Sequence, residues 1–356
     1  MYDIIGDIHG HADELVELLT TLGYSEETSC FRHPSRKAVF CGDFIDRGPQ
    51  IRDVLTIVRH MTEDQAALSV IGNHEFNALA YHTARPTAQN HSAPITTDAL
   101  NPGNTPNTFT ASTGDSASTV PVVPDYFRPH NSRNVRQHAA TTEQVPKEDL
   151  AVSLEWFRSL PIALDLGPLR VVHACWHPQM IAVVNSAIDS LGPFTADFLE
   201  QATVPGNKIF DAVEIVLKGP EAGLPEGVTV SDKDGHLRRR VRIRWFDKPD
   251  GASLGEYSLP KQSLPQTIGI PGNVEAEPYP ADAVPVFIGH YWLPSAIPSP
   301  LKPNVACLDY SVARGGLLCA YRFDGERTLS ADRFVTVPSR AIALPSQTDS
   351  AAKHSV

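Results

Sequence analysis

The sequence has no surplus of basic side chains: 30 lysines and arginines stand against 41 aspartates and glutamates, a formal charge of −11. Charge-driven binding to nucleic acid needs a basic face that displaces counterions from phosphates, so general nucleic-acid binding is not expected. Paired cysteines are also missing. Cys30, Cys41, Cys175, Cys307 and Cys319 are odd in number and scattered, with no C-x-x-C, which argues against a zinc knuckle or a dithiol redox site and for reduced, buried thiols. No apolar run approaches the roughly 20 residues that span a bilayer, so no membrane span is expected. Nor does a basic and apolar leader precede Tyr2-Asp3-Ile4-Ile5, which already reads as strand; a cytoplasmic location is the expectation.

What is present is a chain of 356 residues, 42% hydrophobic and 20% charged, ordinary for a soluble globular protein and long enough to bury a core unaided. Strand and helix patterns alternate at the start: strands over 2–5, 37–41 and 67–71, helices over 12–22 and 50–61. This βαβαβ order predicts a mostly parallel sheet with helices against it. Ligands of such sheets sit in the crevice at the carboxyl ends of the strands. Residues 83–124 turn to Thr, Ala, Pro, Asn, Ser and Gly and read as a flexible insertion. Helix over 142–159 and a strand over 169–173 follow. A cap or hairpin insert over about 193–283 includes helices over 195–201 and 208–217 and a hairpin over 228–246 around Lys233-Asp234-Gly235. Strands over 284–289, 305–310 and 317–322 suggest a second sheet. The expected fold is an α/β two-sheet sandwich flanked by helices, one domain over 1–340, with a disordered tail over 341–356.

Three of the strands end in turns that carry polar chemistry. Gly6-Asp7-Ile8-His9-Gly10 sets a carboxylate and an imidazole two residues apart, a pair suited to Mn, Fe or Zn, although glycine turns and capping explain the same letters. Gly42-Asp43-Phe44-Ile45-Asp46-Arg47-Gly48 offers two carboxylates and an arginine able to bind phosphate oxygens in a bidentate fork; a capped helix start with a local ion pair is the plainer reading. Gly72-Asn73-His74-Glu75 adds an amide oxygen and a candidate acid, His74. The repetition of the pattern after consecutive strands favours a two-metal centre over capping.

These motifs, GDIHG, GDFIDRG and GNHE, together with single histidines in Val171-Val172-His173-Ala174 and Phe287-Ile288-Gly289-His290, resemble the calcineurin-like metallophosphoesterases in their phosphoprotein-phosphatase-type branch. The resemblance implies that Asp7 and His9 bind one divalent cation, that Asp43 bridges, and that Asn73, His173 and His290 bind the other. It also implies that Arg47 and His74 hold phosphate and that Asp46 orients His74. Manganese is the first expectation for both cations, with iron, zinc, cobalt or nickel compatible with the donors. Two cations roughly 3.5–4 Å apart can share a hydroxide and clamp an in-line displacement. Cys307-Leu308-Asp309-Tyr310 and the following turn resemble the bacterial diadenosine tetraphosphatase-like members.

A phosphorylated small molecule or nucleotide is therefore the expected partner, with a dinucleoside polyphosphate favoured. A serine/threonine protein phosphatase is the alternative, although Ala174-Cys175 stands after His173 where such enzymes usually carry a glycine pair. A non-catalytic phosphate-binding module would be expected to lack ligands, and all six positions are filled. Arg238, Arg240, Arg242 and Arg244 alternate, either as a wall for further phosphates or as a solvated edge strand. His177 reads as an exposed loop residue, and His91, His130 and His138 as background. Oligomeric state is not legible.

Overall fold

The apolar spacing of the N-terminal half gives its elements directly. Tyr2–Ile5 (β1) runs into Ala12–Thr21 (α1), which buries Leu15, Leu18 and Leu19 at the i, i+3, i+4 spacing of one helical face. A small hairpin of Ser25–Glu27 (β2) and Cys30–Arg32 (β3) precedes Lys37–Phe40 (β4), Ile51–Glu63 (α2), Ala67–Ser69 (β5) and Asn73–His82 (α3). β1, β4 and β5 pair in parallel, as the βαβαβ pattern predicts. The structure, a computed structural model, describes residues 1–86, 125–231, 235–272, 278–294 and 296–340. Most of the expected insertion, residues 87–124, and the expected tail lie outside the described residues.

Lys147–Ser159 (α5) fills most of the helix predicted over 142–159, whereas Ser132–Gln144 (α4), which overlaps that span only at 142–144, is a helix the sequence pattern does not predict. Pro146 explains the break between them, because its ring removes an N–H and clashes with the preceding turn. There follow Ala163–Asp165 (β6), Arg170–Val172 (β7), Pro178–Leu191 (α6), Ala196–Ala202 (α7) and Lys208–Lys218 (α8). Next come Glu221–Gly223 (β8), Val230–Ser231 (β9), Leu237–Arg238 (β10), Arg240–Arg242 (β11) and Leu254–Tyr257 (α9). The chain closes with Val286–Ile288 (β12), Val305–Cys307 (β13), Asp309–Tyr310 (β14), Leu317–Phe323 (β15) and Phe334–Pro338 (β16). The arms of the expected hairpin pair, Ser231 with Leu237 and Val230 with Arg238, although residues 232–234 of its turn lie outside the described residues.

Two sheets result. One has the order β14-β15-β1-β4-β5 with β16 on β15, the other β13-β12-β7-β6. They face each other through Phe287 of β12, whose ring lies 5.1 Å from Tyr321 and 6.0 Å from Phe323 of β15. The sandwich is as expected, with one correction: the strand over 317–322 and the end of that over 305–310 join the first sheet, not the second. The chain changes sheets at Leu308, and β15 lies antiparallel to β1, Tyr2 opposite Phe323. Glycine at position 6 permits this crossing, since a Cβ there would stand 2.1 Å from the Leu308 carbonyl oxygen.

The charged residue inside β1, Asp3, is buried and satisfied. Arg36 Nε donates to both its oxygens at 3.0 and 2.9 Å, Arg322 Nε at 3.1 Å and Tyr24 Oη at 3.2 Å. The five cysteines are free and buried. Among the described residues no helix is long and apolar enough to cross a membrane.

Candidate metal centre

The turns after β1, β4, β5, β7 and β12 converge at one end of the sandwich. His9, Asp43, Asp46, Arg47 and His290 all have positive φ, between 46° and 74°. A left-handed non-glycine residue costs roughly 1–2 kcal/mol, so the surroundings must hold these conformations in place. Asp43 O accepts the N–H groups of Ile8 and His9 at 3.1 and 3.0 Å, locking the first motif to the second. Glu75, buried, accepts the N–H groups of Asp43, Phe44 and Gly72 at 2.9, 2.8 and 3.0 Å, locking the second to the third. Asp7 accepts the N–H of His290 at 3.0 Å, joining the two sheets. A Cβ on residue 289 would lie 1.9 Å from Asp7 Oδ1, which is why glycine precedes His290.

Asp43 Oδ2 is the meeting point, 3.4 Å from His173 Nε2, 3.7 Å from His9 Nε2 and 3.9 Å from His74 Nε2. Two sets of possible ligands, His9 with Asp43 and His74, and Asp43 with His173 and His290, each have their ligand atoms within 4.8 Å of one another and share Asp43. Asn73 Oδ1 lies 3.1 Å from His173 Nε2. Carbonyl oxygens can only accept, so Ile45 O at 2.9 Å from His9 Nδ1 and Cys41 O at 2.7 Å from His173 Nδ1 place protons on both Nδ1 atoms. Each Nε2 is thereby turned toward Asp43. His9 Nε2 is buried and has no hydrogen-bond partner, as a ring nitrogen reserved for a cation would be. The donor set of imidazoles, carboxylates and an amide oxygen therefore fits divalent metals.

A family model described as calcineurin-like phosphoesterase matches residues 2–205, more than half of the chain. The chain belongs to the calcineurin-like phosphoesterase family. Members of this family use divalent metal ions, in keeping with the two ligand groups that meet at Asp43. Similar curated proteins include the asymmetrical bis(5'-nucleosyl)-tetraphosphatases of Halalkalibacterium halodurans, 40% identical over 28% of this chain and 41% of that one, and of Oceanobacillus iheyensis, 35% identical over 27% and 38%. The match thus spans about two-fifths of those relatives. A solved cold-active protein-tyrosine phosphatase of a psychrophilic Shewanella is similar at a TM-score of 0.45 and 12% identity, over 95% of this chain and 80% of that one.

The electrostatics of this centre follow from burial. Desolvation, with help from the nearby His74, holds His9 well below the usual histidine range. Burial also disfavours the charged form of Asp43, yet His173 and His74 keep it ionised; in turn, burial opposes the charge on His173 and Asp43 raises its pKa. Glu75 is pushed up to about 7 by burial and by Asp43, against the N–H groups it accepts.

Sequence reasoning misses three residues around His74. Asp46 accepts from His74 Nδ1 at 2.5 Å, and also from His138 Nδ1 at 2.7 Å and Thr141 Oγ1 at 2.6 Å; His138 Nε2 then meets His82 Nε2 at 3.0 Å. These bonds hold Asp46 well below the usual carboxylate range although burial works the other way. His138, background by its sequence context, is in fact buried against the site, as is Thr141. Their i, i+3 spacing is the buried stripe of α4, but polar residues make it invisible to a search for apolar periodicity. Glu75 has no role legible within its motif, and its burial identifies one. His177 caps α6, its side chain accepting the N–H of Met180 at 3.5 Å.

The centre opens into a pocket of about 790 Å³ lined by Arg47, Arg238, Arg240 and Arg242 as well as His74 and His290. Arg47 lies 4.6 Å over the Trp292 ring. The expected single stripe of four arginines is interrupted, because β10 and β11 pair with different partners on either side of Arg239. Arg244 is outside the lining, bonded to Asp247 at 3.0 and 2.6 Å.

Proposed function

We propose that the chain hydrolyses phosphate esters or anhydrides with two divalent cations, manganese first among the candidates. Asp7 and His9 would hold one, Asn73, His173 and His290 the other, and Asp43 both. The observation that carries this reading is the position of Asp43 in both ligand groups. Bound there, a cation pair supplies Lewis-acid charge and a nucleophile at neutral pH. Arg47 binds phosphate oxygens through its fork, and stacking on Trp292 limits the freedom it loses in doing so. His74 gives a proton from Nε2 to the departing oxygen, while Asp46, bonded at Nδ1, holds the ring in the orientation this needs.

A dinucleoside polyphosphate is the favoured substrate. A wide pocket with several arginines supports it, as does the activity for which the relatives over the matched stretch are named. The test is product analysis of metal-depleted protein, with and without manganese, on diadenosine tetraphosphate and on a phosphoserine peptide. Manganese-dependent nucleotide release with an inert peptide is expected. Faster peptide dephosphorylation would make it a protein phosphatase, and no release with any metal would leave only a binding module.

His138 acts on this chemistry through Asp46 and is a positioning residue. General acid catalysis is worth about 10²–10⁴-fold, and His138→Ala, which removes one of three donors to Asp46, should lose roughly tenfold of it on alkyl phosphates. Activated aryl phosphates, which need no acid, should lose less. A kcat series across leaving groups reads this out; an equal loss along the series would mean that His138 only supports the fold.

A further inference from the structure

Arg128, just ahead of α4, lines the same pocket as Asp46, Arg47 and His74. Its backbone N–H is donated to Ala80 O at 2.8 Å, which pins it to the last turn of α3, the helix whose first turn holds His74. The side chain is half-buried, and its Nη2 donates to Gln137 Oε1 at 2.8 Å, a neutral acceptor that fixes the guanidinium without cancelling its charge. Among the described residues it pairs with no carboxylate. The acids whose charge it feels are taken: Asp46 by His74, His138 and Thr141, and Glu214 by Lys218. Burial lowers its pKa, and the charge of Arg133 lowers it further. Arg133, in the first turn of α4, also lines the pocket and likewise pairs with no carboxylate among the described residues.

A partly desolvated guanidinium beside a second cation is costly in the absence of an anion and favourable in its presence. The arginines of the hairpin are in a different position. Arg240 is 3.3 Å from Glu221, and Arg242 donates to Lys218 O at 2.7 Å. We propose that Arg128 and Arg133, with Gln137 orienting Arg128, form a subsite for a phosphate beyond the one that is cleaved, so that the pocket selects polyphosphate chains over isolated phosphomonoesters. This rests on the phosphoesterase reading of the Asp43 and His74 centre. It assigns the selection to the α4 side of the pocket in place of the Arg238 to Arg244 stripe. No bond is made or broken at this subsite.

The test compares inorganic tripolyphosphate with orthophosphate as inhibitors of aryl-phosphate hydrolysis, in excess manganese, for wild type, Arg128→Gln and Arg133→Gln. Removing one charge-assisted hydrogen bond from the complex weakens binding by about tenfold to a hundredfold. The tripolyphosphate inhibition constant should therefore rise about tenfold more than that of orthophosphate in Arg128→Gln, and by a smaller factor in Arg133→Gln. Equal changes for the two anions, or none, overturn the subsite. The thermal shift given by each anion makes the same comparison without turnover. Arg133 is exposed, so Arg133→Gln carries the test if Arg128→Gln fails to fold. A wild type that hydrolyses no aryl phosphate refutes the phosphoesterase reading alone, and the thermal shifts still decide the subsite.

Discussion

Asp43→Asn should lower kcat by about three orders of magnitude or more while the protein stays folded, because it removes the one charge that both ligand groups share. Asparagine tolerates the left-handed backbone at this position, where φ is 56°. Its amide oxygen can still accept the N–H of His74, which Asp43 Oδ1 does at 2.9 Å. The turn therefore survives, but a neutral amide faces His9, His74 and His173, and its nitrogen side offers no lone pair to a second cation. Elemental analysis should find fewer cations per chain than in wild type, with the circular dichroism spectrum unchanged. Full metal content at wild-type kcat would remove Asp43 from the mechanism.

Glu75→Ala should destabilise the fold by about 3–5 kcal/mol, as each buried N–H deprived of its acceptor costs about 1–3 kcal/mol and some are rescued by relaxation or water. Glu75 is fully buried and serves the N–H groups of Asp43, Phe44 and Gly72. Its loss also frees the backbone that keeps Asp43 and Asp46 left-handed, so metal affinity should fall with stability. Glu75→Gln keeps the shape and one acceptor oxygen but turns an NH₂ group toward backbone donors, and it should lie between wild type and the alanine variant. Urea unfolding of metal-free protein together with manganese titration measures both effects. A Glu75→Ala protein as stable as wild type would show that these turns hold themselves.

The parallel strands are legible because Ile4-Ile5, Val39-Phe40 and Leu68 end in glycine turns with few alternatives, and their order dictates a crevice. The chemistry is legible at those same turns, since aspartate and histidine after a strand leave few structural explanations once repeated. What sequence cannot reveal lies where burial is polar or contact is remote. α4 buries His138 and Thr141, so its stripe has no hydrophobic signature, and the further donors to Asp46 stay hidden. The Arg238 to Arg244 alternation suggests one face, but strand pairing is set by distant partners, Val230 for Arg238 and Glu221 for Arg242, and these divide it. In the same way, β15 belongs with β1 because Leu308 passes Gly6, a contact across most of the chain.

The bond from the His290 N–H to Asp7 spans 283 residues and joins the turn after β1 to the turn after β12. During synthesis, every motif from Asp7 through His173 leaves the ribosome well before His290 does. Closing so large a loop comes late, after the local strand-helix units have formed. Capture of the proposed second cation would thus report that both sheets have met, and a chain cut between His173 and His290 would carry five of the six proposed ligands without the geometry that makes them one centre.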